Sequence, residues 1–365
     1  MCPGQMGLKV LYIVSILPPY PGGAAACYGN MLRGIVESQS RNFRRITVLT
    51  EQGCETGYGE PVKVHDRLFR HDSAPAAENS FLKQVFNYIL IMGYILFSGN
   101  DIVQIHARYV YARYMGRLVW LALVLSRAKT VIDIRDRFYG NFGFGHRFLV
   151  CSKDLMGFYG WIRNKEYIPV PMDFPELKKG IEAKHRVGYF GTIAENKGIR
   201  ELIEGYKQYR DGSDDPLELH IWGQNTLGPG FEAATASIQG VNYNGSAAPD
   251  EVLERMLECK AVLLPSRSEG MPRVCLEAMY SGRVVVCHQA VKSIASVLPE
   301  RFVLRDLSPG EIRRALSEVE SFSGKASFEY DLKEHSRGRV ASTLVDFYGR
   351  VLNKDHAENR HKEEC

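Results

Sequence analysis

The chain has 365 residues, 45% of them hydrophobic and 24% charged, an ordinary globular composition with length enough for two domains. Its net charge of +4 conceals a split, because residues 1–170 carry 20 Lys+Arg against 12 Asp+Glu and residues 171–365 carry 26 against 30. A basic half suits an anionic membrane surface or a phosphate-bearing acceptor, and nucleic acid is set aside because no basic helix, finger or aromatic platform motif accompanies the charge.

Lys9 to Ile16 (K-V-L-Y-I-V-S-I) reads as a strand, Pro18 to Gly23 as a turn, and Ala24 to Val36 as a helix. A strand, glycine loop and helix in this order suit an anion at the helix N-terminus, with Gly22 and Gly23 as candidates, although a structural turn accounts for two glycines equally well. Neither G-x-G-x-x-G nor G-K-[ST] is present there, which excludes the dinucleotide fingerprint and the Walker loop. Strands at Ile46–Thr50, Asp101–Ile105, Thr130–Ile134 and Phe148–Cys151 alternate with helical patterns, as in an open parallel sheet. Ligands of such sheets sit beyond the carboxyl ends of the strands. His106 follows one strand; Arg135 and Asp136 follow another. A lone His there is commonly a packed or capping residue, but three polar residues at adjacent strand ends point to a site. Phe81 to Phe97 is the most apolar stretch. It is short for a membrane span, carries Lys83, Gln84 and Asn87, and reads as a helix covering the sheet. The nearby run Arg108, Tyr109, Tyr111, Arg113, Tyr114 and Arg117 makes an interfacial helix the sharper alternative. His65 to Asp72 reads as loop or short strand without a role.

Prolines 169, 171 and 175, with charged residues up to Arg186, mark a linker over 171–186 between a first domain (1–170) and a second (187–334). The second opens as strand, loop and helix, with Ile199, Leu202, Ile203 and Tyr206 as the buried stripe. Lys197 stands at this helix's start, where a cation is unfavourable by roughly 0.3–1 kcal/mol unless an anion neutralises it. Strands at Leu217–Trp222 and Val241–Asn244 run into Gly223 and into Gly245 and Ser246. A buried strand, Ala261–Leu264, then leads to the most informative stretch, P-S-R-S-E-G-M-P-R-V-C-L-E-A-M over Pro265 to Met279. Pro272 suits a helix start, Cys275, Leu276 and Met279 recur at helical spacing, and Gly282 suits a left-handed terminus. Loop N–H groups, those of Gly270 and Met271 among them, point where an anion would sit. A cap role accounts for Glu269 alone. Glu277, on an apolar helix, needs a donor, and ribose hydroxyls would supply two. Arg283–Cys287 and Phe302–Leu304 complete the sheet. A terminal helix is expected over 335–352 and a charged, disordered tail over 353–365.

The string P-S-x-x-E-G-x-P-x-x-x-x-E-A-M resembles the E-x7-E motif of the retaining GT-B glycosyltransferases of glycosyltransferase family 4. The likeness covers most of residues 9–352 and is strongest over 187–290. It implies an α/β fold of two Rossmann-like parallel-sheet domains facing a cleft, with the C-terminal helix crossing back to the first. It implies that Glu269 orients the donor sugar and that Glu277 binds the nucleotide ribose, with Gly223, Gly245 and Ser246 bordering the base. Lys197, Thr192, Gly22, Gly23, Gly270, Met271 and Pro272 would then line the donor diphosphate and sugar, and His106, Arg135 and Asp136 would lie near the reacting centre. The sequence departs from the family pattern at four places. Gln104 replaces an earlier His, Arg135 a His that precedes Asp, Pro171 a Gly, and Thr192 an Arg.

The resemblance implies an enzyme that moves a sugar, with retention, from a nucleotide diphospho-sugar to a glycan or lipid-linked acceptor in the synthesis of a cell-surface lipopolysaccharide or exopolysaccharide. Loop amides, the helix dipole and Lys197 would hold the leaving charge, so neither a metal nor a further cofactor is expected. Eight cysteines without any C-x-x-C read as reduced core thiols of a cytosolic protein, and no apolar leader region is seen at the N-terminus. The expected location is the cytoplasm, with the inner face of the plasma membrane as a candidate peripheral site. Two rivals use the same fold, a non-catalytic nucleotide-sugar-binding subunit and a sugar-nucleotide epimerase. Donor turnover with an acceptor tests the first, and an isomerised donor sugar would support the second.

Overall fold

The structure, a computed structural model, describes all residues except 1–6, 21, 70–80, 113–114, 138–145, 249–250, 325, 327 and 364–365, and omits the side chains of 354–363. The chain divides into two compact units, Met1–Asp173 with Lys333–Cys365, and Phe174–Leu332.

The first unit is built on seven parallel strands, β1 (Leu8–Ile13), β2 (Phe43–Glu51), β3 (Val62–Leu68), β4 (Ile102–His106), β5 (Lys129–Ile134), β6 (Arg147–Val150) and β7 (Lys165–Tyr167), in the order β3-β2-β1-β4-β5-β6-β7. The central strands β1, β4 and β5 are short runs of Val, Ile and Leu buried on both faces, as helices on either side require. β3 (V-K-V-H-D-R-L) covers the first part of the stretch read as loop or short strand over 65–72, of which 70–72 lie outside the described residues; as the edge strand it has one neighbour and keeps Lys63 and Arg67 in solvent. The helix Phe81–Phe97 buries Asn87, Tyr88, Ile91 and Ile95. Of the basic and aromatic run, Tyr109 is buried and meets the Tyr88 ring edge-on at 6.4 Å, while Arg113 and Tyr114 lie outside the described residues. No helix among the described residues is long and apolar enough to cross a membrane.

The terminal helix belongs to this unit. It spans Arg337–Glu363 and packs against the helix Gly23–Ser38 so closely that a Cβ on Gly34 would lie 2.6 Å from the Arg337 carbonyl oxygen. The helix runs on to Glu363, through most of the stretch expected as a charged tail over 353–365. Beyond Leu352 the sequence holds no Gly or Pro to stop the helix.

The second unit carries six parallel strands, β8 (Arg186–Phe190), β9 (Glu218–Trp222), β10 (Val241–Tyr243), β11 (Ala261–Leu264), β12 (Val284–His288) and β13 (Val303–Leu304), ordered β10-β9-β8-β11-β12-β13. The expected linker is not a free spacer. Met172 donates its amide to the His335 carbonyl at 2.7 Å within the first unit, whereas Phe174 lies 4.8 Å from the Tyr280 ring and Lys184 pairs with Glu258 at 2.7 Å within the second. Prolines there shape packed chain rather than a tether. In each sheet the strand order reverses once beside the first strand, between β1 and β4 and between β8 and β11, and parallel sheets receive ligands beyond the strand ends at such a reversal.

Candidate functional site

At the β8/β11 reversal two loops are tied together. The loop after β8 turns through a short 3₁₀ segment, Glu195–Lys197, and Gly198 then opens the helix Ile199–Arg210 at φ +67°. A Cβ on Gly198 would lie 2.2 Å from the Pro265 carbonyl oxygen, so only glycine permits this approach to the loop after β11. Arg267 donates its amide to the Asn196 carbonyl at 3.1 Å and its guanidinium to the Glu195 carbonyl at 3.2 Å. So clamped, Lys197 Nζ meets Glu269 Oε1 at 2.6 Å, with side chains 24% and 17% exposed. The anion that the position of Lys197 demanded is supplied by Glu269.

Pro272 caps the helix Arg273–Tyr280 without a side-chain bond, and Gly282 ends that stretch at φ +67°, as expected. Among the described residues the amides of Gly270 and Met271 take no backbone partner. Glu277 is half-buried on this helix, and Arg273, one turn earlier, donates to its Oε1 at 3.0 Å. The donor that its burial requires is thus already present in the chain, which removes the need for ribose hydroxyls as the explanation of that burial. Thr192 is exposed, and its carbonyl accepts from the Tyr189 hydroxyl at 2.8 Å. Gly223 donates its amide to the Gly245 carbonyl at 2.8 Å, which joins two of the residues expected beside the base; Ser246 is exposed just beyond.

At the β1/β4 reversal the first unit gathers Gly22, Gly23, His106 and Arg135. Gly22 and Gly23 are exposed at the start of the helix Gly23–Ser38, which has neither a side-chain cap nor an acidic residue in its first turn. One turn on, Cys27 Sγ lies 3.4 Å from Arg135 Nη1. The guanidinium does not project outward. It turns back on Asp133, at 2.6 Å from Nε to Oδ1 and 2.8 Å from Nη2 to Oδ2, and lies over the Tyr28 ring. Asp133 Oδ2 also accepts from Tyr28 at 3.2 Å and from Gln104 Nε2 at 3.0 Å. Gln104 Oε1 accepts from Tyr348 of the terminal helix at 2.5 Å, and Tyr348 meets Tyr12 at 2.6 Å. Sequence reasoning assigned no role to Asp133. Its only sequence signal is an acid in the middle of an apolar strand.

His106 caps the short helix Ala107–Val110, its Nδ1 accepting from the Arg108 amide at 3.2 Å. Burial pushes its pKa down to about 4, with Asp133 opposing and Arg108 and Arg135 reinforcing. At neutral pH the ring is uncharged, and the Nδ1 bond leaves the proton on Nε2. Asp136 is exposed at the end of β5, where its Oδ1 accepts from the Arg137 amide at 2.8 Å. No group of His, Cys, Asp or Glu that could hold a metal ion occurs among the described residues.

Residues 184–319, which include both β8/β11 loops, match the family model described as Glycosyl transferases group 1. The putative teichuronic acid biosynthesis glycosyltransferase TuaC of Bacillus subtilis is 28% identical over 146 residues, 40% of this chain. That match spans 33% of TuaC's own length. Likeness to solved structures runs the whole length. AviGT4, a glycosyltransferase involved in avilamycin A biosynthesis, superposes with a TM-score of 0.60 at 16% identity, covering 95% of this chain and 98% of its own. TarM gives 0.62 at 11% identity over 96% and 98%. Sucrose-phosphate synthase of Thermosynechococcus elongatus gives 0.64 at 12% identity over 98% and 99%. The fold is GT-B. Its two parallel-sheet α/β units, of seven and six strands, are those that the E-x7-E string implied.

Proposed function

We propose that the protein is a metal-independent, retaining glycosyltransferase that moves a sugar from a nucleotide diphospho-sugar to a glycan or lipid-linked acceptor in cell-surface polysaccharide synthesis. One observation carries this reading: the Lys197–Glu269 pair stands beside the Gly270 and Met271 amides, which take no backbone partner among the described residues, inside the segment that matches the glycosyltransferase model. A diphosphate offers charge to Lys197 and acceptors to the amides, while a sugar offers hydroxyl donors to Glu269. Lys197 thereby exchanges a carboxylate for a phosphate, and Glu269 exchanges an ammonium for neutral hydroxyl donors. In the transfer, the bond from the anomeric carbon to the diphosphate oxygen breaks, and the acceptor oxygen bonds that carbon on the same face. The acceptor's proton passes to the departing phosphate, whose charge Lys197 and the amides stabilise. The biosynthetic assignment of TuaC favours a cell-wall glycan as product.

Nucleotide affinity measured alongside donor turnover tests the reading. Glu269→Ala should lower turnover far more than affinity for the nucleotide diphosphate, and Lys197→Ala should weaken diphosphates much more than the nucleoside. His106→Ala, in the other unit, should leave nucleotide affinity intact and impair transfer. Normal turnover in Glu269→Ala would refute the assignment.

A further inference from the structure

Two helices of the first unit break the rule that a surface helix turns its polar side to water. Of eleven large hydrophobic residues that are exposed among those described, ten lie on the helices Phe81–Phe97 and Met115–Leu125. The exposure is periodic. On the first helix Leu82, Phe86 and Ile89 stand outward while Asn87, Tyr88, Ile91 and Ile95 pack inward. On the second, Leu118, Leu121 and Val124 stand outward while Val119, Ala122 and Leu123 pack inward. The helices pack on each other, and Ser126, just past the second, donates to the Ile95 carbonyl of the first at 3.3 Å. Their outer stripes therefore form one apolar face, larger than scattered surface hydrophobes would give.

The charges on these two helices have one sign, and the exposed Asp101, just past the first, accepts the Lys9 amide on its carboxylate. Neither helix contains Asp or Glu, while Lys83 and Arg117 are exposed on them and Arg127 is exposed just beyond. Arg45, also exposed, donates to the Ser98 carbonyl directly after the first helix. A second copy of the chain meeting this face about a two-fold axis would set cation near cation. A bilayer with anionic headgroups satisfies both features, since acyl chains take the outward Leu, Phe and Ile while Lys and Arg reach the phosphates. We infer that the paired helices Phe81–Phe97 and Met115–Leu125 dock the protein flat on an anionic membrane. The inference stands apart from the sugar-transfer reading, because no residue assigned to transfer lies on either helix.

Flotation of the full chain with vesicles tests it. Phosphatidylcholine vesicles containing one-third phosphatidylglycerol should carry the protein up, and pure phosphatidylcholine vesicles should carry much less. Raising salt from low to physiological should weaken binding without abolishing it, because apolar insertion is not screened. Lys83→Glu with Arg117→Glu should cut binding to the anionic vesicles by about tenfold or more. Phe86→Glu with Leu121→Glu should abolish flotation while leaving nucleotide affinity unchanged and lowering the melting temperature little, since neither side chain belongs to the buried core and Phe86 gives up only its edge-on contact with Phe69. Absence of binding to anionic vesicles, or undiminished binding of Phe86→Glu/Leu121→Glu, would overturn the inference. So would a dimer in sedimentation that the same two substitutions dissociate.

Discussion

The two sheets bring charged side chains to equivalent places, the strand ends at a reversal of strand order, and use them in opposite ways. In the first unit Asp133 is buried; its Oδ2 accepts from Arg135, Tyr28 and Gln104, while its Oδ1 meets Arg135 Nε only as an ion pair. The Tyr348–Tyr12 contact then closes the network against the terminal helix. In the second unit the two ion pairs, Lys197–Glu269 and Arg273–Glu277, each lie on loops or at a helix start and keep 16–24% of their side chains in solvent. A buried, charge-paired network holds a fold together, because every lost partner strands a charge in low dielectric. A partly exposed pair contributes less to stability and can exchange one partner for a ligand. Closure in one place and accessibility in the other therefore separate the scaffold from the candidate binding site.

Removing the charge inside should have the largest effect. Asp133→Ala leaves the Arg135 guanidinium buried without its carboxylate and should cost about 3–5 kcal/mol in urea unfolding. Acid should act next. His106 stays neutral in the folded state down to about pH 4, whereas an unfolded His titrates near 6.5. The unfolded chain thus takes up the proton first as pH falls, so the contribution is fully present above about 6.5 and is lost between there and about 4, by about 3 kcal/mol. Burial pushes His146 to about 4 as well, with the same sign. Unfolding free energies at pH 7 and 4.5 should therefore converge in His106→Gln and converge further in His106→Gln/His146→Gln. For the accessible pairs the readout shifts from stability to ligand. Glu277→Ala should weaken nucleotide diphosphate binding by roughly 1.5–3 kcal/mol in calorimetry if Arg273 yields its place to ribose hydroxyls. Unchanged affinity in a folded variant would leave Glu277 only as the partner of Arg273. Smallest of all, Lys197→Ala should change unfolding free energy by less than about 1 kcal/mol. A loss as large as that of Asp133→Ala would erase the distinction between the two regions.

What could be read from the sequence follows the range of the interactions. β1, β4, β5 and β11 announce themselves as short apolar runs, since burial on both faces leaves no alternation to mistake. Lys197 and Glu269 stand out because local chemistry, a helix start and a glycine turn, makes each conspicuous. Asp133 escapes notice because its partners Tyr28 and Gln104 are separated from it along the chain and meet it only once the sheet is assembled, with Tyr348 of the terminal helix joining through Gln104. Arg273 is the instructive near miss. It lies one turn from Glu277, so a pairing at i and i+4 is visible in the string itself, and it offers a donor that a search for ligand hydroxyls passes over. The outward stripe of Met115–Leu125 escapes for a related reason. An apolar helix with no polar face shows no periodicity, so its buried side emerges only from its neighbours.

The helix Arg337–Glu363 returns to the unit in which the chain began and places Tyr348 against Gln104 and Tyr12. On the ribosome this separates the two units in time. Phe174–Leu332 is one uninterrupted stretch and can fold as soon as it clears the exit tunnel, as contiguous units generally do during synthesis. The earlier-made sheet waits with Tyr12 and Gln104 uncovered until Arg337–Glu363 is translated. Nascent chains stalled before residue 337 should expose the first unit to proteases while the second is already resistant, so the part translated first is the part completed last.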